Sequence, residues 1–173
     1  RDEFVWFNGR QAITYSISKS VSPVVTVALD MFVGDMKQVT GVLPQKVSTG
    51  TSAVRIIQLD KHQAIVKELK RSGVPVDNLK AKKDAFFIKV TGDSGQRQLL
   101  VVGSDGRGTA YGILELSRLA GVSPWVWWGD VTPMQKEYLS VPADYTTFQS
   151  PSVEYRGIFL NDEDWSLQPW SWK

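Results

Sequence analysis

Two hydrophobic periods alternate along the chain, and each switch between them marks an element. Residues 12–18 (AITYSIS) set Ile13, Tyr15 and Ile17 against Thr14, Ser16 and Ser18, and this period of two predicts a half-buried strand. Ser22 and Pro23 then supply a cap and a first-turn proline. Over residues 24–40 the apolar positions Val25, Leu29, Phe32, Val33, Met36 and Val39 recur every three or four residues until Gly41. That spacing predicts an amphipathic helix with one buried stripe. Residues 53–59 (AVRIIQL) read as a second strand, with Asp60 as the cap of a shorter helix that ends near Arg71, before Gly73 and Pro75. Residues 85–91 and 97–102 are two further strands joined by the turn-rich GDSGQ, hence a hairpin. The second carries the apolar run LLVV expected of an interior strand. Residues 108–120 predict a second long helix, with Ala110, Ile113, Leu114 and Ala120 on one side and Gly121 after it.

Strands separated by two long helices, plus one antiparallel hairpin, predict a mixed sheet. The expected fold class is therefore α/β (α+β), a two-layer sandwich whose mixed β-sheet carries both long helices on one face. After it the composition shifts. Six of the seven tryptophans fall between Trp125 and Trp172, and proline recurs at Pro124, Pro133, Pro142, Pro151 and Pro169, so an irregular aromatic connection is expected. It leads into residues 153–160 (VEYRGIFL), a predicted strand tipped by Asn161, Asp162, Glu163 and Asp164. Carboxylates at the C-terminal end of a strand are how a parallel barrel presents catalytic groups.

The 173 residues fit one ordinary domain with a short extension, and 42% hydrophobic against 22% charged residues allow a proper core. A net charge of +2 gives no electrostatic footprint for nucleic acid. The basic stretch of Lys80, Lys82 and Lys83 is diluted by Asp77 and Asp84 and reads as a solvated face. With no cysteine there are no disulfides, thiolate chemistry or cysteine-ligated zinc, and with His62 alone there is no histidine triad or poly-histidine metal site. No apolar run approaches the roughly 20 residues of a membrane span. The opening RDEFVWFNG and the closing DWSLQPWSWK read as the interior of a longer protein whose leader lies elsewhere.

Three motifs could carry chemistry. The loop GSDGRGTAYG between strand and helix resembles a dinucleotide fingerprint, with Asp130 near the place of a ribose-binding acid. Its spacing is wrong, because Gly106 and Gly108 are followed by Gly112, one residue late. Arg107 there either sits exposed on a tight turn at a helix N-terminus or faces an anionic sugar or a neighbouring domain. In SPWVWWGDV, indole faces can stack on the C–H faces of sugars or pack between domains. On a strand, Trp125 and Trp127 would point one way and Trp128 the other. The NDED sequence offers the paired carboxylates of glycoside hydrolysis, or alternatively solvated acids and a helix cap.

Three stretches taken in order, LKAKKDAFFIKV, LLVVGSDGRGTAYGILELSRLAGVSPWVWWGDV and SPSVEYRGIFLNDED, closely resemble the start of glycoside hydrolase family 115. The resemblance is dense from about Leu79 to Trp165 and looser before. It implies an N-terminal accessory domain like those of family 67 glucuronidases and family 20 hexosaminidases, leading into a (β/α)8 catalytic barrel. It divides the chain into an accessory domain (1–142), a linker (143–152) and a stub of the barrel's first strand and following loop (153–173). The family removes glucuronic acid or its 4-O-methyl ether from xylan with inversion, without a cofactor or metal. The implied partners are glucuronoxylan or another uronate-decorated polysaccharide, the protein's own barrel and, in the full-length enzyme, a second copy. No nucleic acid or membrane span is implied, and the location is exported.

By the same resemblance Asp162 and Glu163 are the catalytic candidates. Asn161, Trp127 and Trp128 are the substrate-binding ones, and Arg107 joins them on the reading of its loop that faces it to an anionic sugar. An inverting site needs carboxyl groups roughly 6.5–9.5 Å apart on opposite sides of a sugar, which neighbours on one strand cannot supply, so this stretch alone is expected to be inactive. The alternatives are an autonomous carbohydrate-binding or domain-docking module built on the tryptophans, and a dinucleotide-binding domain.

Overall fold

The computed structural model describes residues 2–48 and 51–159, leaving aside the side chain of Trp127. Its strands and helices follow the two periods. The elements are β1 (Glu3–Phe7), β2 (Thr14–Ile17), α1 (Pro23–Thr40), β3 (Gln45–Lys46) and β4 (Val54–Gln58), then α2 (Val66–Arg71) and α3 (Val76–Lys80). They continue with β5 (Phe86–Thr91), β6 (Gln98–Gly103), α4 (Gly106–Leu119), the single turn α5 (Trp125–Trp128), β7 (Leu139–Pro142) and β8 (Thr146–Gln149).

The main sheet has the order β3-β2-β4-β6-β5-β8. Strands β2, β3, β4 and β6 run parallel, while β5 is antiparallel to both β6 and β8, so the sheet is mixed as expected. A separate ribbon pairs β1 with β7, and its Phe4, Trp6, Phe7, Leu139 and Val141 join the main core.

Helices α1 and α4 lie on one face of the sheet and bury Val25, Phe32, Met36, Val39, Ile113 and Leu116 against Ile56, Ile88, Leu99 and Val101. The stripe foreseen in α1 forms, with Ala28 buried beside it and Leu29 and Val33 at its margin. Ser22 occupies the cap position and Gly41 ends the helix at φ 76°, the left-handed conformation glycine adopts without strain.

The sheet is not left bare on its other side. Ile57, Phe87, Leu100 and Val102 point there and are covered by Leu59, Leu69, Val76 and Leu79 from the segment between β4 and β5. The two-layer expectation thus gains a thinner third layer of short helices. The run LLVV had to be buried on both faces, because strand side chains alternate between them.

Five local expectations change. Asp60 does not cap a helix: two 3-10 turns (Leu59–Lys61 and Gln63–Ile65) precede α2, and its carboxylate accepts a 2.8 Å hydrogen bond from Gln58 Nε2. Helix α4 starts at Gly106, because Asp105 is its cap. The tryptophan motif is a helical turn, so strand alternation does not set its faces. Residues 153–159 form no strand, since no described strand lies beside them to pair with their backbone; Leu160 lies outside the described residues. The stretch expected as a linker contributes β8, an edge strand on β5. No helix among the described residues is long and apolar enough to cross a membrane.

Candidate functional site

The glycine loop is built by close approach rather than by phosphate geometry. A Cβ on Gly103 would lie 2.1 Å from the Thr109 amide nitrogen, and one on Gly108 would lie 2.2 Å from the Ala85 carbonyl oxygen. Glycine at both places lets α4 leave β6 sharply and pack against the start of β5. Asp105 then caps the helix, its Oδ1 accepting from the Gly108 amide at 2.8 Å. Its Oδ2 accepts from the Asp84 amide, also at 2.8 Å, and this holds Asp84 at φ 56°.

Asp84 is buried and gathers two arginines. Arg107 donates Nε–H to Oδ1 at 2.9 Å and Nη2–H to Oδ2 at 2.7 Å, the bidentate fork that suits a carboxylate. The hydrogen bonds it donates to Asp84, and then the Asp84 charge, hold the Arg107 guanidinium above its ordinary pKa. Arg156 adds a third donor, Nη2 to Oδ2 at 3.0 Å, and lies 5.5 Å from the Tyr111 ring centroid.

Asp84, Tyr111 and Arg156 border an open cleft of about 820 Å3 between α1, α4 and the segment after β8. Phe86, Leu114, Val126 and Trp128 supply apolar wall, and Asp35, Glu115 and Arg118 supply charge. Burial pushes the Asp35 carboxyl above the usual aspartate range. Glu115 takes a bidentate pair from Arg118 at 2.7 Å for each contact, and that hydrogen bonding raises the arginine. Burial, and then the Glu115 charge, pushes the Tyr145 phenol upward.

The structure separates the residues singled out from sequence. Arg107 is exposed in the first turn of α4, as one reading of the loop expected, but it is not free to meet a ligand with both arms, since Asp84 occupies its fork. Trp128 borders the cleft and Trp125 is exposed, while the Trp127 side chain lies outside the described part. Asn161, Asp162 and Glu163 also lie outside the described residues. Asp84, Tyr111, Arg156 and Asp35 escaped the sequence reading. The chain between residues 84 and 156 closes only in three dimensions, and nothing local marks a left-handed aspartate.

The α4 N-terminus does not suit a pyrophosphate. Asp105 already takes the Gly108 amide, and Asp84 stands beside it, so an incoming anion would meet two carboxylates. Among the described residues no group of three metal-ligating side chains occurs.

Comparison with known proteins places the domain. The family model for glycosyl hydrolase family 115 matches residues 148–173. Among solved structures, a novel family GH115 4-O-methyl-α-glucuronidase with specificity for decorated arabinogalactans is 43% identical, with a TM-score of 0.80 over 97% of this chain. The chain belongs to glycoside hydrolase family 115. It is an N-terminal domain of that family and spans 21% of the length of the solved glucuronidase. No curated protein gives a significant match. In this family 115 domain the structural likeness takes in the α/β core as well as the short stretch matched by the family model, so the Asp84 cluster lies where the two meet.

Proposed function

We propose that the domain is the non-catalytic N-terminal portion of an enzyme that removes glucuronic acid, or its 4-O-methyl ether, from uronate-capped polysaccharides with inversion. The observation that carries this reading is the 43% identity over 97% of the chain to a solved 4-O-methyl-α-glucuronidase. The family match over residues 148–173 includes Asn161, Asp162 and Glu163, which supports Asp162 and Glu163 as the domain's contribution to the catalytic face. The opposing carboxylate of an inverting pair comes from the barrel that follows. The solved relative is specific for decorated arabinogalactans, so glucuronidated arabinogalactan stands beside glucuronoxylan as a substrate class. The enzyme works outside the cytoplasm, where such polysaccharides are met, and the accessory domain packs on the barrel and shapes one side of the pocket.

The test is uronic acid release from glucuronoxylan and from glucuronidated arabinogalactan by the longer protein, its Asp162→Asn variant and this chain alone. Activity in the longer protein, loss in the variant and silence in the chain are expected. An inactive longer protein on both substrates overturns the reading. A second reading, an autonomous carbohydrate-binding module, is favoured by one observation: Trp125 and Trp128 are 64% and 48% exposed at the cleft's end of α4. Binding of either polysaccharide by the chain alone, weakened by Trp125→Ala, would support it.

A further inference from the structure

We propose that Asp84 is a positioning residue: with Tyr111 it holds Arg156, and so sets where the segment carrying Asn161, Asp162 and Glu163 leaves the α/β domain. The inference rests on the proposed role of those three residues, but the anchor itself can be tested without it.

Asp84 is fixed from several sides. Its side chain is 7% exposed, its amide donates to Asp105, and Arg107 spans both carboxylate oxygens. Arg107 by itself neutralises the carboxylate and saturates the local turn, so Arg156 is not needed to stabilise the start of α4. Arg156 nonetheless reaches Oδ2 at 3.0 Å, donates to the Tyr111 hydroxyl at 3.3 Å and lies against that ring. Its Nη1 donates to the Val153 carbonyl at 3.3 Å, stapling the guanidinium to its own segment.

Residues 152–159 are otherwise exposed and unpaired with any described strand. The other ion pair there, Lys83 with Glu154, joins two exposed side chains and is readily screened. An exposed pair holds weakly because both partners must be ordered. Here Asp84 is ordered already, so only Arg156 loses freedom.

The anchor is read by trypsin, which must draw the Arg156 side chain into its own pocket. Arg10, exposed in a loop, is the internal reference. In this chain, Asp84→Asn should speed cleavage after Arg156 about tenfold relative to cleavage after Arg10, through more frequent local release. Asparagine keeps the left-handed backbone accessible. Tyr111→Leu, which leaves the Arg107 pair intact, should accelerate the same cleavage. Equal rates in the wild type and both variants would overturn the anchor.

In the longer family 115 protein, Asp84→Asn should lower kcat about tenfold while KM stays within about twofold, the mark of misplaced chemistry rather than lost binding. Faster cleavage with unchanged kcat would overturn the positioning role and leave a tether only. If the wild-type longer protein releases no uronic acid, the functional reading fails while the cleavage result still decides the anchor.

Discussion

A single methyl group tests the loop between β6 and α4. In Gly108→Ala the new Cβ would sit 2.2 Å from the Ala85 carbonyl oxygen, and backbone on both sides must give way. Overpacking of this kind costs about 1–3 kcal/mol, to be seen as a lower urea midpoint with an unchanged slope. Asp35 makes a prediction in the opposite direction. Burial raises its pKa in the folded protein, so the native state holds its proton over a pH range in which the unfolded chain has released it. Its contribution to stability therefore falls as pH rises from the unfolded value towards the raised one, and the deficit persists at neutral pH. Asp35→Asn should raise the Tm at pH 7, and the gain should vanish below about pH 3.5, where both states are protonated. A Tm difference independent of pH would contradict the burial account.

At the scale of elements, one side chain joins β4 to α1. Gln58 is fully buried; its Oε1 accepts from the Ser22 amide at 2.7 Å, and its Nε2 donates to the Ser22 hydroxyl and to Asp60, both at 2.8 Å. Gln58→Leu keeps the volume but strands those partners, and should destabilise by about 2 kcal/mol or more in chemical denaturation. The cap residue is thus held by a neighbouring strand: the Ser22 side chain makes no capping bond with its own helix, although its position in the sequence marks the helix start correctly. Asp60 shows the converse. It had the composition of a cap, but its carboxylate is drawn to Gln58, and the chain enters α2 through two tight turns instead.

For the whole molecule, the limit of the self-supporting fold is open to measurement. Strand β8 covers the edge of β5, whereas residues 152–159 lie exposed, pair with no described strand, and reach the described residues Asp84, Tyr111 and Lys83 through side-chain hydrogen bonds and ion pairs. Ending the chain after Pro151 should shift the Tm by no more than about 4 °C, the equivalent of about 1 kcal/mol for a domain of this size. Ending it after Pro142 removes β8 and bares the β5 edge, and should give a less stable, association-prone protein by scattering.

The elements with long repeats were legible in advance. The stripe of α1, the β5–β6 hairpin and the doubly buried LLVV strand follow from periodicity, because burial on one face or two leaves its own pattern in the chain. The family motifs were legible too, since they are contiguous. What the tertiary structure alone decided depends on residues distant in sequence. It pairs β1 with β7, adds β8 to the sheet's edge, and brings Arg107 and Arg156 to the Asp84 carboxylate with Tyr111 against Arg156. Short strands carry too few residues to show a period, and a charge cluster has no period at all. Only the closing of the chain into contact creates them.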